Sequence, residues 1–219
     1  ASTPRHDPLT NEGLMLRFCA NTTALYPGLG LLDSLAQAAR DGFDAVEMRF
    51  PHADPPLVLG DALRDLRLTL VQFNLTMGDF AAGEEFRGGV ERALEWAVPL
   101  GVRLLTCAAG IVPTGADPAR CMDALAGNLR HAAERLALHG IRLQLEPVNR
   151  RDMPGAIVAT TAEYEDVAVR VGSDNLFLQY DFYHMQIMQG DLEPGFLRLL
   201  PRINHLQVAD TPGRHEPGT

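Results

Sequence analysis

The sequence predicts an α/β fold, a closed (β/α)8 TIM barrel, on three observations. Strand-like and helix-like stretches alternate strictly along the 219 residues, seven times over, and such alternation implies a parallel sheet. Polar or acidic residues stand at the C-terminal ends of many of these strands, namely Asn21, Glu47, Asn74, Glu146, Asp181 and Gln207. A barrel gathers side chains from that end of its strands into one mouth. The third observation is negative. A doubly wound open sheet normally carries a Gly-rich first turn, and the nearest stretch here, Gly28-Leu-Gly30-Leu-Leu-Asp33, lacks the third glycine.

Residues 1–12 are polar and proline-rich and read as a flexible tail, which leaves 13–219 as a single domain. Leu14 to Ala20 reads as the first strand. Leu31 to Arg40 has helical spacing with Gly42 just beyond its end. Ala45 to Met48 is the second strand, followed by prolines 51, 55 and 56 and a short helix over Asp61–Leu66. Leu68 to Asn74 is the third strand. Glu84 to Leu100 is helical despite Gly88-Gly89, and Val102 to Cys107 is the fourth strand. Asp117-Pro118 opens a long amphipathic helix to His139, capped by Gly140. Strand five runs from Ile141 to Glu146, a helix spans about Thr161 to Val171, and strand six runs from Leu176 to Asp181. A helix over Leu192–Leu200 leads to strand seven, which starts at Ile203 and ends near Asp210. The eighth β/α unit is missing from these residues, so the domain reads as C-terminally incomplete.

The chemistry concentrates in the last third. A strand-length run, Leu176-Phe-Leu-Gln-Tyr, ends in Asp181, with His184 three positions on. Ile141-Arg-Leu-Gln-Leu ends in Glu146, and the seventh strand carries Gln207 and Asp210. A carboxylate at the end of a buried strand is costly unless something positive meets it. Oxygen ligands arriving from three adjacent strands predict a hard divalent metal. The competing reading makes each carboxylate a helix N-cap.

Composition narrows the function. The 46% hydrophobic content suits one core. A charge of −9, from 19 basic and 28 acidic residues, argues against a nucleic-acid surface. All 19 basic residues are arginine, which excludes Schiff-base chemistry and a P-loop lysine. Cys19, Cys107 and Cys121 have no C-x-x-C spacing, and buried inert thiols are expected. The N-terminal stretch is no signal peptide, and no apolar run reaches the roughly 18 residues of a membrane span. A cytoplasmic protein with no membrane partner is therefore expected.

At Leu145-Glu146-Pro-Val-Asn149, Gln179-Tyr-Asp181-Phe-Tyr-His184-Met-Gln186 and His205-Leu-Gln207-Val-Ala-Asp210, continuing through Arg214-His-Glu-Pro-Gly-Thr219, the chain resembles the hydroxypyruvate isomerase family of xylose isomerase-like barrels. Val46-Glu47-Met-Arg-Phe-Pro51 and the stretch from Phe73 to Glu84 match its early strands. Two departures accompany the likeness. The loop after Gly83-Glu84 is shorter than in the family, and the family's eighth strand, with its second essential glutamate, does not appear. The expectation is that the natural chain continues past Thr219, and that the 219 residues alone are poorly soluble and inactive.

The resemblance implies interconversion of hydroxypyruvate and 2-hydroxy-3-oxopropanoate (tartronate semialdehyde) through an enediol. Glu146 would be the catalytic acid/base and a metal ligand, with Asp181 and Gln207 as further ligands, an all-oxygen set that points to Mg²⁺ or Mn²⁺ rather than Zn²⁺. Asp152, His184, Arg214 and Asn74 are candidates for binding substrate. Each has a plainer reading: a solvated loop charge for Asp152, packing or capping for His184, a surface loop for Arg214, and backbone satisfaction at the mouth for Asn74 and Glu47. Met185, Met188 and Trp96 read as packing. Alternatives are an isomerase or 3-epimerase of a larger sugar or oxo-sugar acid, a DNA-repair barrel disfavoured by the charge, and a catalytically silent metal-binding barrel. The expected partner is a short oxo or hydroxy acid, with a homo-oligomer left open.

Overall fold

The computed structural model describes residues 16–75 and 83–219. The N-terminal tail, the start of the expected first strand, and the part of the Phe73–Glu84 motif at 76–82 lie outside them. Seven parallel strands pair in chain order: β1 (Ala20–Asn21), β2 (Ala45–Met48), β3 (Thr69–Asn74), β4 (Leu104–Ala108), β5 (Arg142–Glu146), β6 (Leu176–Asp181) and β7 (Ile203–Gln207). Helices α1 (Thr22–Leu25), α2 (Leu31–Arg40), α3 (Pro56–Asp65), α4 (Gly83–Ala97), α5 (Pro118–Ala137), α6 (Thr161–Val171), α7 (Phe182–Met188) and α8 (Leu192–Leu199) connect them.

Side-chain contacts show how far the sheet curls. Glu47 of β2 meets His205 of β7 at 2.5 Å, although five strand spacings of a flat sheet would separate them by about 24 Å. The sheet is therefore a barrel wall. Among the described residues β1 pairs only with β2 and β7 only with β6, which is the seven-strand arrangement expected with the eighth unit missing. Leu16 and Phe18 are 71% and 72% exposed beside this seam.

The core lies between the outer face of the wall and the helices. Leu105, Leu143, Leu145 and Leu178 face outward, against Leu35 and Leu59 and the buried stripe Leu125, Leu129, Leu136 of α5. Helix α6 begins with a complete capping box between Thr160 and Glu163, and ends at Gly172, whose φ of 61° supplies the left-handed cap. No described helix is long and apolar enough to cross a membrane.

Three expectations need correction. Of the expected first strand, Leu14 to Ala20, only Ala20 pairs among the described residues, and the paired strand runs on to Asn21. The short helix expected at Asp61–Leu66 begins already at Pro56, since proline at the first helical position gives up an N–H that would be unpaired anyway. The seventh strand stops at Gln207; Asp210 instead anchors the following loop by accepting from the backbone N–H groups of Thr211 and Gly218. A seven-residue helix, α7, was not foreseen directly after β6.

Candidate active site

Along β5, Gln144 and Glu146 share the inner face, as do Gln179 and Asp181 on β6 and His205 and Gln207 on β7. This is the two-residue period of a strand. The inner wall is thus polar, and its last layer forms a mouth at the C-terminal end with a cavity of ≈ 580 Å³. Asn74, Glu146, Asp152, His184, Gln207 and Arg214, all expected from the sequence, line it together with Glu47.

Glu146 and Asp181 are 7% and 1% exposed. Burial, and then the charge of Asp181, push the Glu146 carboxyl up to about 8, against the pull of Arg214 and of a hydrogen bond from Gln179. No helix starts at Glu146, so its N-cap reading falls. Asp181 does cap a helix, and its second oxygen is engaged as well. Its Oδ1 accepts from the backbone N–H of Tyr183 and caps α7, while Oδ2 faces Arg214 at 2.7 Å and His184 at 3.6 Å.

His184 sits between the two carboxylates, with Nε2 3.8 Å from Glu146 and 3.6 Å from Asp181. Its Nδ1 accepts from the backbone N–H of Asn149 at 3.3 Å and lies 2.7 Å from the Asn149 amide nitrogen. A backbone N–H can only donate, so Nδ1 is the acceptor and the proton of the neutral ring resides on Nε2. Burial holds the pKa of His184 down. One ligating atom from each of Glu146, Asp181 and His184 lies within 4.8 Å of the others, but this tautomer makes His184 a donor beside the carboxylates rather than a third ligand.

Asp152 is exposed at the rim, accepting from Asn149 Nδ2 at 3.0 Å and from the Tyr183 hydroxyl at 2.7 Å. These two bonds, the Asn149 one first, hold its carboxyl below the usual range. Arg214 bonds Asp181 and lies over the Tyr183 ring, 5.1 Å from its centroid. Asn74 is half-buried, with its backbone N–H on the Arg49 carbonyl. Met185 is buried, Trp96 packs against the core, and both remain packing residues. Cys107 and Cys121 are buried, whereas Cys19 is half-buried, 3.9 Å from Glu47, with its thiol pushed up to about 12 by burial and then by Glu47.

The sequence reading underrated Glu47. It is 3% exposed and accepts from Asn21 Nδ2 (2.8 Å), Gln72 Nε2 (2.8 Å) and Gln207 Nε2 (2.5 Å), with His205 Nε2 also at 2.5 Å. Burial raises the Glu47 pKa, but these donors, His205 foremost, outweigh it and hold it low. Gln72 Oε1 in turn accepts from Gln144 Nε2 at 2.7 Å, and Thr106 Oγ1 lies 2.8 Å from Gln179 Oε1. Gln179 then reaches Glu146. Hydrogen bonds through Gln72, Gln144, the Thr106 hydroxyl and Gln179 therefore join Glu47 to Glu146 through the barrel interior, donating outward from Gln144 toward both carboxylates. The one available signal was the alternation of Gln72, Gln144 and Gln179 with apolar neighbours.

A parallel barrel with buried carboxylates gathered at the C-terminal mouth is the architecture of a TIM-barrel enzyme site. Residues 35–219 match the profile of the xylose isomerase-like TIM barrel family, and the chain belongs to that family. It is 39% identical to a 2-oxo-tetronate isomerase of Cupriavidus necator, over 93% of this chain and 82% of the relative. Identity to a hydroxypyruvate isomerase of Escherichia coli is 38%, over 94% of this chain and 84% of the relative. Among solved structures, one titled AP endonuclease, family 2, from Brucella melitensis superposes with a TM-score of 0.88 at 36% identity, covering 94% of this chain and 83% of the other.

Proposed function

We propose that the protein is an isomerase of small hydroxy-oxo acids, interconverting hydroxypyruvate and 2-hydroxy-3-oxopropanoate by proton transfer between adjacent carbons. The observation that carries this is the pair of buried carboxylates, Glu146 and Asp181, flanking the donor His184 at the mouth. The names of the two relatives support the substrate class, which spans three- and four-carbon acids.

The donor set fits a divalent cation. Burial, and then the charge of Asp181 close by, make the ionised Glu146 carboxylate costly without a cation, and hard oxygen donors suit Mg²⁺ or Mn²⁺. Glu146, Asp181 and the amide oxygen of Gln207 would hold it. Bound there, it supplies positive charge beside the substrate carbonyl and makes loss of the neighbouring carbon's proton less costly.

The chain's own groups do the rest. Glu146 removes the proton from C3 of hydroxypyruvate to leave an enediolate, exchanges it with solvent and delivers a proton to C2, while the hydroxyl proton passes from the C3 to the C2 oxygen. The reverse reaction takes the proton from C2 and delivers one to C3. His184 Nε2–H, fixed by Asn149, donates to a substrate oxygen. Arg214 stands within reach of the same mouth and suits a carboxylate through paired N–H donors. Asn74 and Asp152 would contact the rest of the substrate. A net charge of −9 disfavours DNA as substrate.

The test is direct. Purified full-length protein with Mn²⁺ should convert hydroxypyruvate to 2-hydroxy-3-oxopropanoate, followed by proton NMR, and Glu146→Gln should not. Conversion by Glu146→Gln at the wild-type rate would refute the assignment.

A further inference from the structure

Glu47 is a buried carboxylate that the chemistry above leaves without a task. Its donors come from three strands: Asn21 of β1, Gln72 of β3, and His205 and Gln207 of β7. A carboxylate accepts and does not donate. The end of the Gln207 amide that meets Glu47 Oε1 at 2.5 Å therefore has to be the NH₂. The amide oxygen is left as the end not engaged by Glu47, in a cavity that Gln207 lines with Glu146 and Arg214. An amide coordinates a hard cation through oxygen, never through its NH₂. Orientation of this one amide thus decides whether Gln207 offers the site a ligand or a repelling donor.

We propose that Glu47 is a positioning residue that locks the Gln207 amide with its oxygen toward the mouth, and so makes Gln207 a competent ligand. This rests on the ligand set of the proposed function. Glutamine in place of Glu47 keeps the shape but brings its own NH₂ among four donors, and at least one of them has to turn away. The Gln207 amide is then free to flip. A carboxylate that merely tied strands together would affect stability and leave metal affinity alone. Partners that orient ligands typically carry about 10–100-fold in affinity.

The experiment is a double-mutant cycle on Mn²⁺ affinity, by calorimetric titration of the full-length protein. Glu47→Gln and Gln207→Ala should each weaken binding by about tenfold or more, and together by no more than Gln207→Ala alone. Losses that multiply would overturn the proposal while leaving Gln207 in the ligand set. Wild-type affinity in Gln207→Ala would instead remove Gln207 from that set and take the proposal with it. Should Glu47→Gln not fold, the paired exchange of Glu47→Gln with Gln207→Glu decides. It keeps one carboxylate and one amide facing each other, and because both ends of the residue-207 side chain are then oxygens, no flip can remove the ligand and Mn²⁺ should bind at least as tightly as in the wild type. An exchange that binds as weakly as Gln207→Ala would also overturn the proposal.

Discussion

Asp181 can be divided into its two tasks by two substitutions. Asparagine retains an oxygen for the Tyr183 N–H, 2.9 Å away, and ranks with aspartate as an N-cap. Alanine removes the cap. Losing it costs about 1 kcal/mol, within a range of roughly 0.5–2. The pair with Arg214, whose side chain is 44% exposed, adds at most about 1 kcal/mol. Asp181→Ala should therefore lose about 1–3 kcal/mol, and each kcal/mol lowers Tm by about 2–4 °C in a chain of this size. Both substitutions lose the Arg214 pairing and relieve the repulsion on Glu146, but only Asp181→Asn keeps the cap, so its metal-free stability should stay within about 1 kcal/mol of wild type. Both variants should lose Mn²⁺ affinity. Calorimetric melts with chelator, followed by Mn²⁺ titration, separate the two effects. Equal destabilisation by both substitutions would refute the cap argument, and undiminished Mn²⁺ affinity in either would remove Asp181 as a ligand.

Glu146 has a pH signature. Its folded carboxyl keeps its proton to about 8 against an ordinary 4.5, so the folded state binds the extra proton and metal-free stability falls as pH rises through that window. Glu146→Gln should flatten this fall in melts run with chelator; an unchanged slope assigns it to other groups. Thr106→Val removes the hydroxyl between Gln144 and Gln179 and should cost about 1–3 kcal/mol in denaturant unfolding, whereas a neutral outcome would mean that the interior chain is not needed. Arg214→Gln should raise KM for hydroxypyruvate by at least about tenfold, the equivalent of a lost charge-assisted bond of about 1.5–3 kcal/mol, and spare a neutral triose analogue. Equal effects on both substrates would leave Arg214 as the partner of Asp181 and Tyr183 alone.

The barrel and its mouth were legible because strand-end polarity is local. Glu146, Asp181 and Gln207 each stand at the end of a strand-length stretch, and that position alone places them at one end of a parallel sheet. Asp181 followed at three residues by His184 also carried its meaning in sequence, although the short helix that seats His184 did not show, as seven residues are too few for a periodic pattern. The place of Glu47 at a strand end was legible, but its role was not, because the partners that give it one, His205 and Gln207, lie 158 and 160 residues further on. The first strand was overread because Leu16 and Phe18 have strand-like spacing, while pairing depends on a neighbour that sequence spacing does not reveal.

The central claim is that Glu146 moves a proton rather than that hydrogen migrates directly between carbons. It is tested by incubating hydroxypyruvate with the full-length protein and Mn²⁺ in deuterated water, and reading deuterium at C2 and C3 by mass spectrometry and NMR. The expected result is solvent deuterium in both product and recovered substrate, abolished by Glu146→Gln. Conversion without deuterium incorporation, or incorporation that survives Glu146→Gln, would contradict it.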